Sequence, residues 1–153
     1  METFLLYLLH GLAAMVWVGG LVFAGFVLQP AAREVLDGER HTRLWARALG
    51  TFLVWSAAAA LLVLLTGFRM TAAFGGMARL PLHVNLMMLF GLLAAGLIAA
   101  VALGPYRALR TALAAGDAPA ARVALRRART LMWIELHLGA IAFALGVSGK
   151  FLV

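Results

Sequence analysis

The chain contains no cysteine and, among its 153 residues, only 6 acidic residues and 4 histidines. Without cysteine there is no disulfide, no thiolate metal site and no thioether-linked haem, so a metal or haem would need histidine, methionine or carboxylate ligands. Charged residues make up 12% of the chain and hydrophobic residues 65%, which leaves too little polar surface for a water-soluble domain. A lipid bilayer is therefore the predicted solvent.

Basic residues dominate the charge, with a formal net charge of +7. They lie in gaps between apolar runs and not on one soluble face, so we expect no nucleic-acid partner. By the positive-inside rule, the two basic loops are cytoplasmic and both termini lie in the periplasm of a bacterial inner membrane. These loops hold ten of the thirteen basic residues: Arg33, Arg40, Arg43, Arg47, Arg107, Arg110, Arg122, Arg126, Arg127 and Arg129. Outside them are Arg69, Arg79 and Lys150.

Four apolar runs are each long enough to cross a hydrocarbon core of about 30 Å as a helix. None alternates with a period of two, so the strands of a membrane barrel are not predicted. The runs are Phe4 to Leu28, Leu49 to Phe68, Leu82 to Leu103 and Leu131 to Val153. We predict one all-α domain, residues 1–153, built as an integral membrane bundle of four transmembrane helices at about 4–28, 44–70, 82–104 and 120–152.

Two similar segments indicate a duplicated helical hairpin. His10 precedes an apolar run that ends at Gln29-Pro30, and His83 precedes one that ends at Gly104-Pro105. Two copies that enter the membrane from the same side would be related by an axis along the membrane normal. The alternative is a chance match between helices rich in alanine and leucine.

Ionisable side chains inside a membrane are costly and are therefore functional candidates. His10 and His83 should lie at similar depth at the periplasmic end, on opposite walls of one cavity if the hairpin is duplicated. Two neutral imidazoles across an apolar slot suit the iron of haem b. The alternative is that each histidine caps a helix end or forms a hydrogen bond with a neighbour.

The remaining polar candidates lie toward the cytoplasmic end. His137 is too deep in its helix to share the first haem easily, but it could form a second bis-histidine site with His41, which is otherwise typical of a surface histidine. Glu135 could carry protons, orient a ligand, or pair with Arg129 or another loop arginine, and we expect an ion pair. Trp45 and Trp133 are predicted to belong to an aromatic belt at this interface.

Methionine offers a second kind of site at the periplasmic end. Met70, Met77 and Met87 lie near His83 in the sequence. Thioether and imidazole ligands suit Cu(I), although methionine is also common as packing in membrane helices. Copper is therefore the alternative to haem.

Two motifs resemble those of small bacterial membrane proteins. Residues 10–23, with the sequence His10-Gly11-Leu12-Ala13-Ala14-Met15-Val16-Trp17-Val18-Gly19-Gly20-Leu21-Val22-Phe23, resemble the first helix of CopD-like and HemJ-like proteins. Leu82-His83-Val84-Asn85-Leu86 resembles the third-helix motif of HemJ-like protoporphyrinogen oxidases, in which the position of Asn85 is usually lysine. Glu135 resembles their last-helix carboxylate. The resemblance implies a four-helix bundle with a histidine-ligated haem b and redox chemistry, or copper handling for CopD-like members.

Taken together, the sequence predicts a membrane cytochrome that holds one or two b haems and carries out redox chemistry in or across the bilayer. His10 and His83 are the expected ligands of the first haem, His137 and His41 of a second, with Asn85 and Glu135 near the cofactor. The alternatives are a copper-handling protein and a protoporphyrinogen IX oxidase. The expected partner is an unidentified redox protein or a quinone, and a homo-oligomer remains open.

Overall fold

Four long helices make up almost all of the structure, a computed structural model that describes residues 1–148 and residue 151. Each has a stretch long enough and apolar enough to cross a membrane, and no strand occurs within the described residues. The helices are α1 (Glu2–Val35), α2 (Gly38–Ala73), α3 (Leu82–Ala114) and α4 (Ala118–Ser148). The predicted all-α, four-helix fold is confirmed, and four such helices suggest a multi-pass membrane protein.

α1 extends past the proline at which the sequence predicted its end. Residues Ala24–Leu28 are π-helical, and the N–H of Gln29 donates to the carbonyl of Ala24, five residues earlier. This wider turn accommodates Pro30, which has no N–H to donate and whose ring would clash with a regular preceding turn. The helix therefore continues to Val35 and not only to residue 28.

α3 uses the same backbone feature. Residues Ala102–Tyr106 are π-helical and contain Pro105, and the helix continues to Ala114, beyond the predicted end at residue 104. Gly116 then ends it in the left-handed conformation, with φ +71°, a region that glycine adopts without a steric cost.

Aspartate residues cap the starts of α2 and α4. The side chain of Asp37 accepts a hydrogen bond from the backbone N–H of Arg40, and that of Asp117 accepts one from Ala120, each over 2.9 Å. These caps satisfy backbone donors of the first turn, so the helices begin before the predicted residues 44 and 120. The predicted continuation of α4 to residue 152, and the predicted position of Lys150, involve residues that lie outside the described part of the chain.

The bundle consists of two helical hairpins. α1 makes its most extensive contacts with α2, and α3 with α4, whereas contacts between the pairs are fewer. Each hairpin has a π-helical segment with a nearby proline in its first helix and an aspartate cap on its second. These shared features agree with a duplicated hairpin, which stays a prediction.

The outside of the bundle exposes many large apolar side chains, while a few polar ones join the mostly apolar core. Ser56, Thr66 and Glu135 are buried, while large apolar residues such as Phe26 and Leu65 are about 60% exposed on the outside of the bundle. Lipid solvates apolar side chains but offers polar ones no partner, so the polar groups turn inward.

One buried hydrogen bond joins the two hairpins. The indole nitrogen of Trp17 on α1 donates to Oε1 of Glu135 on α4 over 2.6 Å, and both residues are almost fully buried. The expected ion pair between Glu135 and Arg129 was wrong, since neither residue forms an ion pair within residues 1–148. Six residues of helix separate these two side chains by ~9 Å along the axis and direct them to different faces.

Trp17→Phe is expected to lower the free energy of unfolding by about 1–3 kcal/mol, because it leaves a buried carboxyl oxygen without its donor. Trp55→Phe is the matched control, since Trp55 is 63% exposed. Denaturant unfolding in detergent micelles, followed by circular dichroism, measures both changes. Equal losses in the two variants would contradict a stabilising role for the hydrogen bond.

Candidate functional site

A cavity of about 480 Å³ opens between the helices at the end of the bundle that holds His10 and His83. All four helices contribute to its walls, which are mostly apolar and include small residues. We call it the histidine-end cavity. Its chemically distinctive lining residues are His10, Trp17, Met70, His83, Met87 and Met88.

Thr66 determines the tautomer of His10. The hydroxyl of Thr66 donates to the carbonyl of Leu62 over 2.6 Å, with the carbonyl of Val63 at 3.1 Å, so its single proton is already used. The same oxygen lies 2.9 Å from Nδ1 of His10 and therefore accepts a hydrogen bond from it. This arrangement assigns the ring hydrogen to Nδ1 and leaves a lone pair on Nε2. Histidines that bind metals are commonly held in this way at their second nitrogen.

His83 lies in the first turn of α3, immediately after Pro81 and Leu82. It lines the same cavity as His10, so the structure brings together the two histidines that were paired on sequence grounds. Its side chain is partly buried, and no hydrogen bond to its ring is found in the described portion of the chain. Its ring nitrogens are therefore not committed to a neighbouring side chain.

Glycines set the width of the cavity beside these histidines. A Cβ added at Gly11 or Gly91 would meet no other atom within 4 Å, so both positions border open space. A Cβ at Gly67 would instead lie 3.4 Å from Cε1 of His10, and one at Gly146 would lie 2.9 Å from Sδ of Met87. A larger residue at Gly146 would therefore displace the side chain of Met87, whereas a Cβ at Gly67 would only reach van der Waals contact with His10.

The structure divides the predicted copper ligands. Met70 and Met87 line the cavity with His83, whereas Met77 is not among the lining residues and is 52% exposed at the start of a short 3₁₀ turn. Within the described residues, no group of three or more histidine or acidic side chains could hold a metal ion. A metal site here would therefore combine imidazole with thioether ligands or with those of a cofactor.

Asn85 lies outside the lining of the cavity. Its side-chain amide donates to the carbonyl of Leu80 over 3.3 Å and to that of Met77 over 3.4 Å. It therefore holds the loop that precedes α3.

His41 and His137, predicted as ligands of a second haem, occupy different environments. Nδ1 of His137 lies 2.6 Å from the carbonyl of Trp133 on the same helix, and the side chain is exposed. His41 lines an open pocket at the arginine-rich end, together with Arg33 and Arg129. His137 lines neither this pocket nor the histidine-end cavity, so the structure does not bring the two histidines together at one cavity.

Trp45 is a core residue and not a member of an interfacial belt. It is 2% exposed, and the guanidinium group of Arg129 lies over its ring at 5.7 Å from the centroid. Trp133 is partly buried and packs edge to face on Phe26, with ring centroids 5.1 Å apart. The prediction of an aromatic belt was wrong for Trp45. The rotation of α2 about its axis, which the local sequence does not specify, directs the Trp45 side chain into the bundle.

The sequence did not predict that Thr66 forms a hydrogen bond with His10, or that Trp17 forms one with Glu135. Thr66 was visible as a hydroxyl within the second apolar run, and polar residues in such runs are functional candidates. Its contact with His10 depends on how α1 packs against α2. The contact between Trp17 and Glu135 likewise joins residues that are 118 positions apart.

Four apolar helices, with a cavity lined by histidine and methionine at one end, form a small helical bundle and suggest a protein of the multi-pass membrane class. The chain belongs to the family described as a domain of unknown function (DUF4149), which matches residues 12–115. That match includes α2, α3 and most of α1, with His83 inside it and His10 just before it. No curated protein and no solved structure matches the chain. The resemblance to CopD-like and HemJ-like proteins therefore stays a prediction.

Proposed function

We propose that the protein binds haem b in the membrane and transfers electrons, with His10 and His83 as the axial ligands. The observation that carries this proposal is that both histidines line one largely apolar cavity of about 480 Å³. Bundles commonly hold cofactors between facing helices, and imidazole is a common axial ligand of haem iron. The lining also includes residues from the other two helices, which would keep water away from the group.

The residues present fit such a group. The hydrogen bond from His10 to Thr66 leaves the Nε2 lone pair for a metal, and it would hold the ring in one orientation. Gly11 and Gly91 border open space where larger side chains would obstruct a flat macrocycle. Bound haem would supply one-electron redox chemistry, and the apolar walls would influence its potential.

One haem per chain is the simplest form of this proposal. His41 and His137 line no common cavity, so a second haem at either residue would need another ligand. The electron partner would approach at the histidine end, as a redox protein or as a quinone within the membrane.

We also propose that the chain crosses a bacterial inner membrane with its arginine-rich end in the cytoplasm and both termini in the periplasm. The support is the charge asymmetry, since ten of the thirteen basic residues lie in the helix ends on either side of the α1–α2 and α3–α4 connections. The connections themselves, residues 36–37 and 115–117, hold no basic residue. In this orientation the histidine-end cavity opens near the periplasmic face.

The ligand assignment predicts that His10→Ala and His83→Ala each abolish the low-spin haem spectrum. His137→Ala is the control, because this exposed histidine lies outside the cavity and should leave the spectrum unchanged. Detergent-purified protein would be examined by reduced-minus-oxidised spectroscopy, with haem content measured as the pyridine haemochrome. A colourless wild-type protein, or an unchanged spectrum in both cavity variants, would overturn the proposal.

Cavity filling provides a second test that leaves both histidines in place. Gly91→Leu is expected to reduce haem content strongly, because the new side chain enters the cavity. Gly96→Leu is matched to it, since Gly96 lies on the same helix, is exposed and also has no atom within 4 Å of an added Cβ. If both variants retain wild-type haem content at equal expression, the cofactor is not bound in this cavity.

The absence of cysteine makes the proposed orientation directly testable. Single substitutions Met77→Cys and Arg127→Cys place a thiol in an exposed position at either end of the bundle. In spheroplasts, a membrane-impermeant maleimide should label Met77→Cys at once and Arg127→Cys only after permeabilisation. The reverse pattern would invert the topology.

Copper(I) handling is the second candidate function. It is favoured by the thioethers of Met70 and Met87, which line the same cavity as the two imidazoles. If the purified protein is colourless, metal analysis after anaerobic incubation with Cu(I) should find bound copper. Met87→Leu should then lose copper, whereas Met77→Leu should retain it.

A further inference from the structure

An open pocket of about 610 Å³ lies at the arginine-rich end of the bundle. It is formed by the last turn of α1, the first turns of α2 and the first half of α4. We call it the arginine pocket. Its basic lining residues are Arg33, His41, Arg122, Arg126 and Arg129, and Leu36 and Leu125 are among its apolar ones.

The arginine pocket has cationic walls without a matching carboxylate. No acidic residue lines it, and its four arginines form no ion pair within residues 1–148. Two nearby carboxylates bind other arginines: Asp37 pairs with Arg40 over 3.5 Å and Glu39 pairs with Arg43 over 2.8 Å. The positive charge inside the pocket is therefore not balanced by the ion pairs beside it.

The cations converge from different helices. Arg122, Arg126 and Arg129 are spaced by four and three residues and so share one face of α4. Arg33 comes from α1 and lines the same pocket as Arg129 and His41, so the like charges of the two guanidinium groups face one site. Trp45 holds Arg129 by a cation–π contact. Nε2 of His41 is buried and has no partner among the described residues.

We propose that the arginine pocket binds a phosphate group, carried by an anionic lipid headgroup or by a soluble phosphorylated compound. Guanidinium groups present paired N–H donors that match phosphate oxygens, and several of them around one concave site would neutralise more than one negative charge. A bound phosphate would offset the like charges of Arg33 and Arg129. This proposal is independent of any cofactor at the histidine end.

Arginines that served only to orient the protein in a membrane would not need to converge on one pocket. Arg126 and Arg127 lie in the same turn of α4 and both are exposed, but only Arg126 lines the pocket. Orientation in a membrane depends on the charge of both residues alike, whereas a phosphate site depends on Arg126 and not on Arg127. The two residues therefore form a matched pair for an experiment.

The test uses the full chain in detergent with two probes. Native mass spectrometry measures binding of phosphatidylglycerol, with phosphatidylcholine as the zwitterionic control, and thermal melting measures stabilisation by inorganic pyrophosphate. We expect Arg126→Gln to weaken binding at least about tenfold, the loss of one charge-assisted interaction. Arg127→Gln should bind as the wild type does. Arg126→Lys should recover only part of the affinity, since it retains the charge but not the paired donors.

The two probes distinguish the source of the phosphate. Binding of phosphatidylglycerol without stabilisation by pyrophosphate supports a lipid headgroup, the reverse supports a soluble compound, and responses to both support a shared phosphate site. Circular dichroism confirms that each variant is folded before it is compared. Equal effects of Arg126→Gln and Arg127→Gln, or no binding of either probe to the wild type, would overturn the proposal.

Discussion

Lipid offers no hydrogen bonds, and most features of this bundle follow from that constraint. Backbone groups within an apolar segment must be paired inside the segment, so all four runs are helical. The same requirement explains the two π-helical segments, where the helix widens by one residue near Pro30 or around Pro105 and continues. It also agrees with the burial of Thr66 and Glu135 inside the bundle and with the many leucine and phenylalanine side chains exposed on its outside.

Polar groups that turn inward need partners, and the partners they find determine which residues are available for chemistry. Thr66 uses its proton on its own helix and its lone pair on His10, which leaves Nε2 of that histidine unpaired at this contact. Trp17 lines the histidine-end cavity and also donates to Glu135, so a buried carboxyl group lies immediately behind the cavity wall. The cavity therefore places imidazole and thioether groups beside two buried side-chain hydrogen bonds, Thr66–His10 and Trp17–Glu135.

The two ends of the molecule differ in chemistry. One end gathers imidazole and thioether side chains around an apolar cavity, and the other gathers guanidinium groups around an open pocket. Because α1, α2 and α4 contribute to both, a ligand at one end contacts helices that also form the other. The Trp17–Glu135 hydrogen bond joins α1 to α4, two of the helices that contribute to both ends.

Length and hydropathy in the sequence determined the four helices, and the spacing of the basic residues placed ten arginines near one end of the bundle, although in helix ends and not in loops. These properties are local, since a helix satisfies its own backbone and a run of apolar residues specifies its own solvent. Helix ends were less predictable, because the π-helical turns at Pro30 and Pro105 and the caps at Asp37 and Asp117 extended the helices beyond the apolar runs. Only the tertiary structure decided that Glu135 bonds to Trp17 and not to Arg129, that Trp45 is buried, and that His41 joins arginines and not His137. Those outcomes depend on how each helix is rotated against neighbours far away in the chain, and that rotation is set by packing of the whole bundle.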